Sequence, residues 1–157
     1  MNETGYKTYL STEQAMLDFG ALCASFSAEA LTIFLYGNLG AGKTTLVRGF
    51  LRGLGHEGSV KSPTYTIVEP YQLQHLQIFH FDLYRVHDGR ELEYIGIQDY
   101  FAPNAICLIE WPEQGKGFLP PADLSFYIES FNEGREIKII AHSERGQRIL
   151  QRLQNEN

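Results

Sequence analysis

Apolar positions recur along this chain with two periods, one helical and one extended. Phe19, Leu22, Cys23 and Phe26 fall at i, i+3, i+4 and i+7, the buried face of a helix. Ser11 and Gln14 have the spacing of a capping box, so the helix is expected to open at Ser11. Leu31 to Tyr36 is a nearly continuous apolar run, as a strand buried on both faces requires. Leu46, Val47, Phe50, Leu51 and Leu54 then line a second helix, and Gly55 stands where a left-handed cap would stop it. Tyr65 to Tyr71 and Leu76 to Asp82 read as an antiparallel hairpin, followed by short helical turns at Gly89 to Gly96 and Ile97 to Phe101. Ala105 to Glu110 is again a continuous apolar strand, and it ends in a carboxylate. Leu124 to Ser130 and Glu136 to Ala141 read as strands joined through a turn at Asn132-Glu133-Gly134. Ile149, Leu150 and Leu153 mark a final helix opened by Ser143. The alternation predicts an α/β fold: a mostly parallel central sheet carrying some antiparallel strands, with helices on both faces.

Composition narrows this picture. The 157 residues suit one domain spanning 1–157, and 43% hydrophobic with 20% charged residues is ordinary for a globular protein. Thirteen basic against nineteen acidic residues give a net charge of -6, which argues against a stand-alone nucleic-acid binder. Action on nucleic acid through a partner with a positive surface stays open. Cys23 and Cys107 lie in apolar stretches without CxxC spacing and read as buried free thiols. The first ten residues lack the apolar core of a signal peptide, and no run is long enough to span a bilayer. The expected location is therefore the cytoplasm, away from any membrane.

Between the first strand and the second helix lies Gly37-Asn38-Leu39-Gly40-Ala41-Gly42-Lys43-Thr44, a gap-free match to the P-loop pattern. Glycines permit a tight curve whose amides point inward at phosphate oxygens, and the following helix presents its positive end to the same anion. Lys43 is expected to reach the β- and γ-phosphates of ATP. The Thr44 hydroxyl is expected on Mg2+, and Thr45 follows with hydroxyl and amide placed for the α-phosphate. The buried strand before the loop and the amphipathic helix after it are the required context. They specify the fold further as a three-layer sandwich of the P-loop NTPase type.

Two carboxylates end strands at the side of the sheet where ligands bind. Glu110 reads as the second magnesium anchor, direct or through water, or as the group that meets the water attacking the γ-phosphate. Most P-loop proteins carry Asp there, so Glu is a departure. Alternation puts His80 and Asp82 on one face of their strand, opposite Phe79 and Phe81. Asp82 either orients a water or metal-bound water, or caps the next turn or pairs with Arg85. His80 reads as a satisfied structural histidine. Ser62-Pro63-Thr64 is either a switch sensing the γ-phosphate or a locally capped loop. Trp111, the sole tryptophan, is either packed core or a lid beside the nucleotide.

Four segments together carry a resemblance: Gly40-Ala41-Gly42-Lys43-Thr44-Thr45, Lys61-Ser62-Pro63-Thr64-Tyr65, His80-Phe81-Asp82-Leu83-Tyr84-Arg85 and Ile109-Glu110-Trp111-Pro112-Glu113. In order and spacing they resemble the TsaE family of bacterial ATPases, from the first helix to about Gly117. Asn38 departs from the Asp common there. The resemblance implies an ATPase needed to make threonylcarbamoyladenosine in tRNA, working in a complex with TsaB- and TsaD-like proteins. The tRNA would then be reached indirectly. The resemblance further implies that Thr45, Asp82, Glu110 and Trp111 matter for nucleotide handling, with Thr12 a weaker contact near the base. It leaves Thr44 and Thr45 as alternative magnesium ligands beside Glu110.

Three other readings compete. A small-molecule kinase needs an acceptor pocket and an arginine-bearing lid, and Arg135 alone is a weak one. A GTPase needs a guanine-reading N/T-K-x-D pattern, which the sequence lacks. A regulatory subunit that binds nucleotide without hydrolysing it would not need both Asp82 and Glu110 near the phosphates.

Overall fold

The computed structural model describes residues 5–27, 29–73 and 75–156. Along the chain run β1 (Gly5–Leu10), α1 (Glu13–Ser25), β2 (Leu31–Tyr36), α2 (Lys43–Gly53), β3 (Val68–Leu73), β4 (Leu76–Asp82) and α3 (Arg90–Tyr94). They are followed by β5 (Ala105–Glu110), β6 (Leu124–Phe131), β7 (Gly134–Ala141) and α4 (Glu144–Asn155). Single 3-10 turns occupy Ile97–Tyr100 and Pro112–Gly115.

The strands form one seven-stranded sheet in the order β1-β7-β6-β2-β5-β4-β3. Its centre is parallel: β6 with β2, β2 with β5, and β5 with β4. Both flanks are antiparallel: β1 with β7, β7 with β6, and β4 with β3. The sheet is therefore evenly mixed, which corrects the expectation of a mostly parallel one. The pairing that tips the balance is β1. Its residues are half-buried at best and alternate with exposed ones, because it is an edge strand covered on one face only. Such a strand leaves no continuous apolar run to find.

Alternation sorts the side chains into two cores. Leu31, Ile33 and Leu35 of β2, Ile106 and Leu108 of β5, and Phe126 and Ile128 of β6 pack against α1, α2 and α4. Phe81 of β4 and Cys107 and Ile109 of β5 pack on the other face, against Leu92 of α3 and Ile97. That second layer covers only one side of the sheet. On the same face of β6 and β7, Tyr127 and Lys138 are exposed. The α1–α2 crossing is close enough to require glycine: a Cβ on Gly49 would lie 2.2 Å from the Leu17 carbonyl oxygen.

Local signals fared unevenly. Ser143 caps α4, accepting from the Gly146 amide, and Gly55 takes the left-handed conformation after α2. Helix α1 opens one residue later than expected: Thr12, not Ser11, is its cap, accepting from the Ala15 amide at 3.0 Å. Gln14 does not complete a capping box, and its amide donates to Asp18 instead. The first strand of the hairpin begins at Val68 rather than Tyr65, since Ser62 to Ile67 form a turn stitched by the Ile67 amide to the Pro63 carbonyl. Both cysteines are buried free thiols. Among the described residues no helix is long and apolar enough to cross a membrane.

Candidate functional site

Three parallel strands converge on one end of the sheet. Strand β2 delivers the loop from Gly37 to Gly42, β4 delivers Asp82, and β5 delivers Glu110. In register, Asp82 stands directly opposite Glu110. The loop turns into α2 at Gly42, whose φ of 106° lies in the left-handed region where a side chain would be strained. Among the described residues no side chain caps α2 and no acid occupies its first turn, so the helix's positive end stays open to a ligand.

Glu110 is 3% exposed, yet it is fully engaged. Its Oε2 accepts from His80 Nε2 at 2.6 Å and from the Thr44 hydroxyl at 3.1 Å. Lys43 is buried with it: its ammonium donates to the Gly37 carbonyl and lies 3.7 Å from the centre of the Trp111 ring. Burial pulls the lysine below its ordinary range, while Glu110, Asp82 and Glu113 oppose that shift. Trp111 in turn packs on Tyr84, ring centres 5.0 Å apart. The indole is thus half-buried: it packs against the second core and forms one wall of the cleft.

Of the readings open for Asp82, the turn cap is the one the structure contains. Its Oδ1 accepts from the Tyr84 amide, capping the turn after β4, and its side chain also lines the cleft. Arg85 does not pair with it, and stacks over Tyr65 instead. Burial raises the Asp82 carboxyl above its ordinary range, and the neighbouring Glu110 adds to the rise. His80 is not the satisfied histidine expected from sequence: it is fully buried and its Nδ1 has no partner among the described residues.

Two clefts flank the loop. One, of about 330 Å3, is lined by Leu39, Lys43, Thr44, Ser62, Thr64, Asp82, Glu110 and Trp111. Ser62 and Thr64 share a hydrogen bond of 2.6 Å at its edge. The other, of about 290 Å3, lies between the β1–α1 turn and the tip of the β6–β7 hairpin, where Thr12, Met16, Glu133 and Arg135 line it. Gly40, Gly42 and Thr45 line both, so the loop is the partition between them. Arg135 braces that partition, donating to the Ala41 carbonyl at 2.8 Å and the Gly40 carbonyl at 3.1 Å. Gly37, Asn38 and Ala41 line neither cleft and shape the loop through their carbonyls.

The family model for the threonylcarbamoyl adenosine biosynthesis protein TsaE matches residues 10–137. The chain belongs to the TsaE family. It is 47% identical to the tRNA threonylcarbamoyladenosine biosynthesis protein TsaE of Haemophilus influenzae, over 94% of this chain and 96% of that one. It is 37% identical to the protein of the same name from Bacillus subtilis, over 84% and 83% of the two chains. The crystal structure of Bacillus subtilis YdiB superposes with a TM-score of 0.82 at 27% identity, covering 99% of this chain and 98% of that one.

Two contributors to this TsaE-family site were not legible beforehand. Arg135 read as an isolated lid candidate, but the antiparallel return of β7 brings it onto the loop from 94 residues away. His80 carried its signal in the alternation that set it on the Asp82 face. Its role was obscured because the diagonal approach to Glu110 depends on the β4–β5 register.

Proposed function

We propose that this chain binds and hydrolyses ATP with Mg2+ in the threonylcarbamoyladenosine modification of tRNA, acting in the cytoplasm with TsaB- and TsaD-like partners. The observation that carries the reading is the loop as partition. The loop and the start of α2 line one cleft that holds Thr44, Asp82 and Glu110, and a second cleft holds Thr12 and Arg135. A nucleoside triphosphate laid across Gly40, Gly42 and Thr45 has its phosphates in the first and its base in the second. On this reading the chain is a P-loop NTPase-like three-layer sandwich in one domain.

The donor set fits magnesium held jointly with nucleotide. Among the described residues no group of three or more His, Cys, Asp or Glu side chains can hold a metal alone. Thr44 and Glu110, with Thr45 as the alternative hydroxyl, would supply protein oxygens to Mg2+, and phosphate and water would supply the rest. The ion would neutralise charge on the phosphates during transfer. Glu110 would hold the ion or align the attacking water, Asp82 would orient water beside it, and Lys43 would meet the phosphates.

Lys43 is the only cation among the residues lining the first cleft, against two carboxylates. A site with so little positive charge is a slow catalyst until another group stabilises the transferring phosphoryl, and an added arginine is worth roughly 10³ or more in rate. Phosphate release by the isolated chain is therefore expected to be weak and to rise strongly with TsaB- and TsaD-like proteins at equal ATP. Fast release unaffected by them would refute the partner dependence. Absence of nucleotide binding would refute the ATPase reading.

A further inference from the structure

We propose that His80 is a positioning residue, whose Nε2–H grips Glu110 Oε2 and fixes the carboxylate against Thr44. The inference rests on the ATPase reading for its consequence, and on the geometry for its cause. Glu110 ends β5 on a side chain with three free torsions, and Thr44 alone would hold it loosely, at 3.1 and 3.4 Å to its two oxygens. His80 reaches the same carboxylate from the neighbouring strand, one ladder step behind Asp82, at 2.6 Å. With the carboxylate ionised, Nε2 must be the donor, since a carboxylate only accepts. That tautomer leaves Nδ1 as a bare lone pair, and among the described residues Nδ1 finds no partner.

The orphaned nitrogen is the telling feature. His80 has Ile78 on its own face of β4 and Leu108 opposite it across the ladder, both buried in the main core. A leucine would pack in such a place without stranding a polar atom, so a histidine there costs stability that its single bond to Glu110 must offset. The bond holds Oε2, which Thr44 also meets, and leaves Oε1 untouched by His80 on a side chain that lines the cleft. Hydrogen bonds behind a metal-binding carboxylate act in this way, and removing them lowers metal affinity or activity about 10- to 100-fold.

The test compares His80→Leu with His80→Gln, whose amide nitrogen can reach the same oxygen. Three readouts apply: Mn2+ affinity with a non-hydrolysable ATP analogue, phosphate release, and melting of the nucleotide-free chain. His80→Leu is expected to keep its melting temperature and metal-free nucleotide affinity, while Mn2+ affinity and phosphate release fall about 10-fold or more; His80→Gln should recover most of both. Wild-type values in His80→Leu, or equal losses in both variants, would overturn the proposal. A readout independent of folding variants is the nitrogen spectrum of the wild-type His80 ring without nucleotide. A proton on Nε2, with ring signals that shift in Glu110→Gln, supports the bond; a proton on Nδ1 alone overturns it. A wild-type chain that binds no nucleotide would refute the ATPase reading separately, because the ring spectrum judges His80 without nucleotide.

Discussion

Replacing Lys43 with methionine should separate binding from stability. Lys43 is 4% exposed, and its ammonium rests on the Gly37 carbonyl and the Trp111 ring. A desolvated cation–π contact is worth about 2 kcal/mol and a hydrogen bond from a charged donor about 1.5–3. Against these stands the desolvation of an ammonium, several kcal/mol even after relaxation. Methionine keeps most of the packing volume and removes both sides of the balance, so the net change in folding stability should be about 1 kcal/mol or less of either sign. For a chain of this length that is roughly 2–4 °C in melting temperature. In binding the cancellation is only partial. With one of its three donors kept on Gly37, the ammonium gains two charge-assisted bonds to phosphate oxygens worth roughly 3–6 kcal/mol, less about 2 for the indole contact given up on reaching them. The remainder, roughly 1–4 kcal/mol, corresponds to a loss in affinity of about 5- to 700-fold. Calorimetry with ATP and Mg2+, beside melting without nucleotide, measures both quantities. An unchanged dissociation constant in a folded variant would refute the role of Lys43 at the phosphates. A large drop in melting temperature would show that the lysine is there to hold the fold.

Glu110→Gln is expected to bind nucleotide but lose most hydrolysis, because the metal or attacking water needs the ionised carboxylate; wild-type phosphate release with partners present would refute this. Arg135→Lys keeps the charge but loses the fork that grips two loop carbonyls, so nucleotide affinity should fall roughly tenfold, about 1.4 kcal/mol; unchanged affinity would show the brace to be idle. Asp82 has its carboxyl raised by burial in the folded chain, so between the ordinary aspartate pKa and that raised value the folded state binds more protons than the unfolded. Its contribution to stability is present below the ordinary value and is lost as pH rises through the raised one. Asp82→Asn should therefore melt slightly higher at neutral pH while phosphate release falls; a lower melting temperature across neutral pH would contradict the sign.

The sequence made the parallel centre legible because strands buried on both faces read as unbroken apolar runs, as at Leu31 to Tyr36 and Ala105 to Glu110. The loop from Gly37 to Gly42 was legible as a strand-to-helix turn for a different reason: glycines and a lysine stand there at fixed local spacing. What stayed hidden depended on pairing over distance. The edge strand β1 has no continuous apolar signature, and Arg135 meets the loop only through the β6–β7 return. The cap of α1 was misplaced by one residue because Ser11 and Thr12 are both able caps, and backbone geometry rather than composition chose between them.

The seat of the lysine has an optical consequence. The chain has one tryptophan, and it is the residue whose ring the Lys43 ammonium sits over at 3.7 Å. Its ultraviolet emission is therefore a single-site signal with no background from other indoles. A cation over an indole perturbs the ring's excited state, so any ligand that draws the ammonium toward itself changes that emission. The unlabelled protein thus carries its own reporter. Titrating nucleotides, metals or a partner while watching one wavelength would follow the lysine itself, on the timescale of the side chain leaving its seat.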